Sequence, residues 1–172
     1  AVPRLYESIR GRILRGAEQK GGLAQELLLL AVAIGRKKYE GTERLKWHEC
    51  LTDMVLDKLV RKKVNKRFGG RLRAFVSGGA PLNYDVGVFF QALGLTILQG
   101  FGQTESAPVS NCNPYHNNKI TTVGPALKGV EIRIADDGEI LIRGELVMKG
   151  YWNQPERTAE TIKDGWLHTG DI

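Results

Sequence analysis

The chain has 172 residues, 42% hydrophobic and 26% charged, with 25 Lys and Arg against 19 Asp and Glu for a formal net charge of +6. This composition fits a soluble globular chain with one sizeable core or two small ones, and excludes a disordered tract. The longest apolar run, LLLLAVAI at 27–34, is far too short for a bilayer span, and the first residues lack the pattern of a signal peptide.

Residues 3–70 read as helical. Leu5, Ile9, Ile13 and Ala17 recur at four-residue spacing and line one helix face. Gly21-Gly22 breaks that helix. A second apolar stretch, 23–34, is expected to end near Gly35, with basic residues after it that suit a helix C-terminus. Leu51, Met54, Val55 and Leu59 predict a third amphipathic helix, stopped by Gly69-Gly70. Most of the charge surplus sits in RKK at 36–38 and RKKVNKR at 61–67. These runs suit solvated helix faces, or contact with an acidic ligand or an anionic membrane. No aromatics interleave with them as a nucleic-acid stacking platform requires, so no nucleic-acid partner is expected.

The texture then changes. RLRAFVS at 71–77 is a short β-rich run, GGAPL follows, and Asn83 is placed to cap a helix carrying Val86, Phe89, Phe90 and Leu93. Gly94 closes that helix and LTILQ at 95–99 is a second strand. Strand, helix and strand at this spacing predict a βαβ unit with parallel strands and a right-handed crossover. The strand ends SGGAPL and GFGQTE should then lie on one edge, where open α/β sheets hold ligands. From about 121, VEIRIAD and GEILIRG alternate around Asp136-Asp137-Gly138, predicting a hairpin within a small antiparallel sheet or partial barrel. The fold class is therefore α/β: N-terminal helices, a βαβ portion, then antiparallel strands. The expected division is 1–120, helical plus α/β nucleotide-binding, and 121–172, antiparallel β, both within one larger parent domain.

Several side chains carry candidate chemistry. Gly78-Gly79 permits close backbone approach to a flat ring or phosphate, or makes a tight turn. Thr104 and Glu105 offer a hydroxyl for a phosphate and a carboxylate for Mg²⁺, or a helix cap. Asp171 has the two acceptor oxygens that a ribose diol needs, or is a turn residue. His48, His116 and His168 are scattered without metal-ligand spacing. There is no Walker loop, no G-x-S-x-G, and no third glycine after GFG. Cys50 and Cys112 form no C-x-x-C, so a reduced, cytoplasmic chain is expected. Trp152 and Trp166 are expected in core or lid packing.

SGGAPL at 77–82, QGFGQTE at 99–105, VGPALKGVEIRI at 123–134 and GEILIRGELVMKGYWNQPERTAETIKDGWLHTGDI at 138–172 resemble the adenylate-forming acyl-CoA synthetases. VPRLYESIRGRIL at 2–14 and the helical stretch to AIGRKKYEG resemble the long-chain fatty acid–CoA ligase branch. Any one signature alone is weak, but all occur in the family's order. The resemblance implies ATP, Mg²⁺ and coenzyme A, and two half-reactions: a fatty acid attacks the α-phosphate of ATP to give acyl-AMP and pyrophosphate, then the CoA thiol displaces AMP.

By position, the resemblance implies that Gly78, Gly79 and Ala80 form one wall of an adenine pocket. Gly100, Phe101 and Gly102 form the other, with Phe101 against the ring. Thr104 bonds a phosphate, Glu105 binds Mg²⁺, and Asp171 grips both ribose hydroxyls. Many family members have tyrosine where Phe101 stands, which keeps the stacking and removes one polar contact. The family's lysine-bearing phosphate loop and its C-terminal lysine domain are expected outside these residues, so the chain is read as a fragment with no ligase activity alone. A sibling enzyme for another acid, such as an aryl-CoA ligase or an adenylation domain, shares the nucleotide residues; a basic non-catalytic module would use the charge runs alone. Peripheral membrane contact through Arg61, Lys62, Lys63, Lys66 and Arg67 is a further expectation, as is self-association through open strand edges.

Overall fold

A computed structural model describes residues 2–41 and 44–172, in two compact units that divide at Leu98 and Gln99. The predicted helix over 3–70 lies outside the described residues at Thr42 and Glu43.

The first unit contains α1 (Pro3–Glu18), α2 (Gly22–Glu40), α3 (Trp47–Leu56), a π-helical turn (Asp57–Arg61) and α4 (Lys62–Arg67). β1 (Phe75–Ser77) and α5 (Tyr84–Ala92) follow, and β2 (Ile97–Phe101) begins in this unit. Pro3 opens α1, where its missing N–H costs nothing. Tyr6 rather than Leu5 is the inward residue: Tyr6 is buried and donates its hydroxyl to Val76 O at 2.7 Å, whereas Leu5 is 48% exposed. Tyr6 meets Phe75 and Phe90 edge-on at 5.5 and 5.8 Å, an arrangement that favours ring edges against faces. Ile13 of the expected face is buried, and at the start of α1 Tyr6 takes the inward place expected for Leu5, because a phenol with a partner buries more area than the leucine beside it.

Gly35 does not end α2. The helix runs on to Gly41, which takes a left-handed conformation with φ 63°. Gly35 lies inside it and faces α5, where a Cβ would stand 2.5 Å from Ala92 Cα. The residue is there for close helix approach, not for termination. The expected face of α3 is also reversed. Leu56 and Val60 are buried, while Leu51, Met54, Val55 and Leu59 are between 43% and 69% exposed. The π-helical turn after Leu56 shifts the phase by one residue, which a uniform helical spacing cannot anticipate at Leu59 and Val60, and the exposure of Leu51, Met54 and Val55 lies before it. Arg61 ties these helices together: its guanidinium pairs with Asp53 at 2.6 Å and donates to Ala92 O at 2.7 Å and Ala31 O at 3.3 Å.

α5 buries Val86, Val88, Phe89, Phe90 and Ala92, so it is apolar nearly all round, as an interior helix is. Asn83 caps it by accepting from Val86 N at 3.2 Å, as its position predicts. Strand, helix and strand occur in the predicted order, with β1 beside the start of β2 through Phe75 N to Thr96 O at 2.8 Å.

In the second unit the end of β2 pairs antiparallel with β3 (Asn111–Cys112), Gly100 opposite Cys112 and Phe101 opposite Asn111. β4 (Val130–Ile134) and β5 (Ile140–Gly144) make the predicted hairpin, with Ile134 opposite Ile140. α6 (Pro155–Thr161), β6 (Ile162–Lys163) and β7 (Trp166–His168) complete a four-stranded antiparallel sheet of order β4-β5-β7-β6. Leu141, Ile142 and Leu167 are its buried residues. Trp166 lies under the guanidinium of Arg143 at 4.5 Å, and Arg143 in turn pairs with Glu131 across the hairpin. Trp152 is not core: it is 88% exposed, because it sits in the turn before α6 and not on a sheet face.

Candidate functional site

The first unit presents Gly78, Gly79 and Ala80 directly after β1. Gly79 has φ 81°, a conformation that suits glycine, and a Cβ there would meet nothing within 4 Å. The turn is therefore both tight and open on one side. Its base is Ser77, fully buried, whose hydroxyl has no hydrogen-bond partner among the described residues.

In the second unit β2 ends at Phe101, which is half-buried. Gly102 has φ 154°, and a Cβ there would collide with the Pro108 carbonyl. The glycine thus serves the packing of its own loop, a role that spacing alone does not reveal. A single 3₁₀ turn, Thr104–Ser106, follows. Its cap is not the Thr-Glu pair. Ser106 Oγ accepts from Gln103 N and donates to Gln103 O, both at 3.1 Å, and Ser110 Oγ donates to Ser106 Oγ at 3.0 Å. With Ser106 closing the turn, Thr104 is exposed and Glu105 half-buried, their side chains available for other work.

Glu105 has two ties to the segment 148–151. Its carbonyl accepts from Met148 N at 2.8 Å, and its Oε1 accepts from the Tyr151 hydroxyl at 2.8 Å. No hydrogen bond reaches Oε2 among the described residues. Tyr151 is itself fixed: Arg157 lies 4.4 Å from its ring centroid, and its N–H donates to Thr158 Oγ1 at 2.9 Å. The hydrogen bond to Glu105 and then burial hold the phenol above its ordinary pKa, so it stays a donor. Tyr151 is the neighbour of Glu105 that the sequence leaves unmarked. It stands within the GYWN run, but no spacing rule connects position 151 to position 105.

Asp171 is exposed, and its carboxylate has no partner among the described residues. Its backbone is held instead. Asp171 O accepts from Ile140 N at 2.9 Å, and Asp171 N donates to Thr169 Oγ1 at 3.1 Å, which donates onward to Ile140 O at 2.7 Å. Glu139 spans the same segment, with Oε2 2.7 Å from His168 Nδ1 and Oε1 accepting from Gly170 N at 2.8 Å. These bonds, the Gly170 N–H foremost, hold the Glu139 carboxyl below its usual pKa. Glu105 is thus gathered with Tyr151, and Asp171 lies next to the Gly170 that Glu139 holds, while Thr104 stands exposed beside Glu105 and Gly78, Gly79 and Ala80 belong to the first unit. Among the described residues no three His, Cys, Asp or Glu side chains form a metal cluster.

The α/β chain thus carries a glycine turn after one strand, a Thr-Glu pair that does not cap its own turn after the next, and after Thr-Gly a carboxylate with no partner among the described residues. The chain belongs to the AMP-binding enzyme family, whose model matches residues 31–152. It is 36% identical over 183 residues to the long-chain-fatty-acid–CoA ligase FadD15 of Mycobacterium bovis, covering 100% of this chain and 29% of that protein. It is 34% identical over 190 residues to long chain acyl-CoA synthetase 3 of Arabidopsis thaliana, covering 100% of this chain and 28% of that one. Among solved structures, apo MatB from Rhodopseudomonas palustris matches with a TM-score of 0.56 and 32% identity over 68% of this chain and 26% of that chain. The anthranilate CoA ligase AuaEII in complex with anthranoyl-AMP matches with a TM-score of 0.54 and 27% identity over 58% of this chain and 21% of that chain. The chain spans less than a third of the length of the curated relatives it matches.

Proposed function

We propose that this chain is the nucleotide-binding portion of a long-chain fatty acid–CoA ligase, which activates a fatty acid with ATP to acyl-AMP and pyrophosphate and passes the acyl group to coenzyme A with release of AMP. One observation carries the choice of acid. The two relatives above, which align over 100% of the chain at 34–36% identity, its helices included, are named for long-chain fatty acids or acyl groups.

In this reading Gly78, Gly79 and Ala80, and separately Gly100, Phe101 and Gly102, are adenine-contacting residues, with the Phe101 ring supplying a stacking surface. The Thr104 hydroxyl donates to a phosphate oxygen, and the Asp171 carboxylate accepts from both ribose hydroxyls. The donors present suit Mg²⁺: a hydroxyl and a carboxylate whose Oε2 is uncommitted, oxygen ligands of the kind this hard cation shares with phosphates. When bound, the ion supplies positive charge against the phosphates. Tyr151 occupies the other oxygen of Glu105 and so fixes the direction in which that carboxylate faces.

Cytoplasmic location, peripheral attachment to an anionic membrane and self-association through the open edge of β4 belong to the same proposal. The membrane patch is smaller than the sequence implies. Arg61 is consumed by Asp53 and two carbonyls, leaving Lys62, Lys63, Lys66 and Arg67.

The test has two arms. A fluorescent AMP analogue is expected to bind the chain, with E105Q removing the Mg²⁺ dependence of ATP binding and D171N weakening both nucleotides. In the polypeptide that carries this chain, pyrophosphate–ATP exchange is expected with long-chain acids in preference to aromatic ones. Preference for benzoate or a short acid would overturn the choice of acid. Acyl-dependent AMP release by the chain alone would overturn the assignment of catalysis to a larger assembly.

A further inference from the structure

We propose that Glu139 is the positioning residue for Asp171. The inference deepens the nucleotide reading above and rests on it for the role of Asp171. The β4–β5 turn sets Glu139 first: its N–H donates to Asp137 Oδ1 at 3.1 Å, and Gly138 N bonds Ala135 O at 2.9 Å. From that fixed base the carboxylate reaches across to the strand end after β7 and holds it at two points, the His168 imidazole at 2.7 Å and the Gly170 N–H at 2.8 Å. Asp171 is the next residue, and its own side chain makes no bond among the described residues.

A free carboxylate offered to a diol is useful only if its backbone is fixed, since ordering it on binding would cost affinity. Three further bonds come from Ile140 of β5: its N–H donates to Asp171 O at 2.9 Å, and its carbonyl accepts from Thr169 N at 3.4 Å and from the Thr169 hydroxyl at 2.7 Å. They hold Thr169 and Asp171 to the strand, but among the described residues only Glu139 bonds the intervening Gly170, at φ 72°. Without that anchor the Gly170 peptide loses its hold and the Asp171 carboxylate is less narrowly aimed, although Asp171 O stays bonded to Ile140 N. Glu139 touches no nucleotide in this scheme and acts entirely through Asp171.

The test compares AMP with 2′,3′-dideoxy-AMP on the chain and on E139A, E139Q and D171N. Wild type is expected to prefer AMP by about tenfold or more, the worth of a well-oriented charge-assisted pair. E139A should bring that ratio close to one while leaving dideoxy-AMP affinity within about twofold, and E139A/D171N should lose no more than D171N. E139Q, which keeps an acceptor for Gly170, should restore most of the preference. Equal weakening of both nucleotides by E139A, or an unchanged ratio, overturns the proposal, because a general loss of structure would not single out the diol. Amide hydrogen exchange separates this from failure of the nucleotide reading. If wild type binds neither nucleotide, faster exchange at Gly170 and Asp171 in E139A, with Ile142 unchanged, still supports the clamp, and unchanged exchange overturns it.

Discussion

The Tyr151 hydroxyl donates to Glu105 Oε1 at 2.8 Å, across 46 residues of sequence, and the second carboxylate oxygen has no hydrogen-bond partner among the described residues. The bond does two things. It draws the turn at 104–106 to the segment before α6, and it restricts the carboxylate to one face for a cation. Y151F removes the donor and keeps the ring beneath Arg157. Affinity for ATP in the presence of Mg²⁺ is expected to fall about three- to tenfold, the range for a partly exposed hydrogen bond to a charged group. Affinity without Mg²⁺ and the thermal midpoint should change little. Isothermal titration with and without the ion checks this, and equal losses under both conditions would show that Tyr151 serves only packing.

Gly35 and Ala92 set the distance between α2 and α5. On propensity alone, G35A should stabilise an interior helical position by up to about 1 kcal/mol. The contact reverses the sign, since the new methyl would sit 2.5 Å from Ala92 Cα, which is backbone and cannot turn aside. A net destabilisation of about 1–3 kcal/mol is expected, the usual cost of overpacking. Urea denaturation measures it, and a G35A midpoint above wild type would show that the helices part without penalty.

Gly35 also marks what the sequence could and could not carry. The hairpin at 136–138, the Asn83 cap and the strand–helix–strand order were legible because each is set by local turn or capping chemistry. The end of α2, the inward place of Tyr6 in α1 and the face of α3 were not. There a tertiary contact used a glycine against its local meaning, a tyrosine with a carbonyl partner displaced a leucine, and a π-helical turn changed the phase. The candidate residues were visible as motifs. Their supports were not, since Tyr151 and Glu139 lie 46 and 31 residues from Glu105 and Gly170, and only the fold sets those pairs together.

Glu139 gives the second unit an acid-sensitive element. Its folded pKa is depressed, chiefly by the Gly170 N–H and then by His168. The sign follows: the stability it contributes is fully present above the ordinary carboxylate range and is lost as pH falls through the lower, folded value. Glu49 is depressed in the same direction by the Lys46 N–H and Lys37, so whole-chain acid unfolding mixes the two. The difference between wild type and E139Q isolates one. That difference is expected to be constant near neutral pH and to shrink below the ordinary carboxylate range. A gap that stays constant down to the acid-unfolded state would mean that Glu139 gains nothing from its partners in the fold.

Arg61 and its four basic neighbours separate fold from surface. Arg61 is 12% exposed and pairs with Asp53 at 2.6 Å, so R61E would place two carboxylates together inside the helical unit. Removing one partner of such a pair costs about 3–5 kcal/mol, and reversing its charge costs more, so R61E is expected to unfold the unit or lower its midpoint sharply. Lys63, Lys66 and Arg67 have no ion-pair partner among the described residues, and Lys62 only a 4.0 Å approach to the Asp57 carboxylate. Reversing these four should leave the circular dichroism melt within a few degrees of wild type, because exposed charges contribute little to stability. If the patch meets an anionic membrane, the same variant should lose most of its sedimentation with phosphatidylserine vesicles. It should also lose the salt dependence of that binding, since screening acts on exposed charge over about 10 Å at 0.1 M. Undiminished vesicle binding by a well-folded quadruple variant would remove the membrane from the proposal and leave the basic run as a solvated helix face.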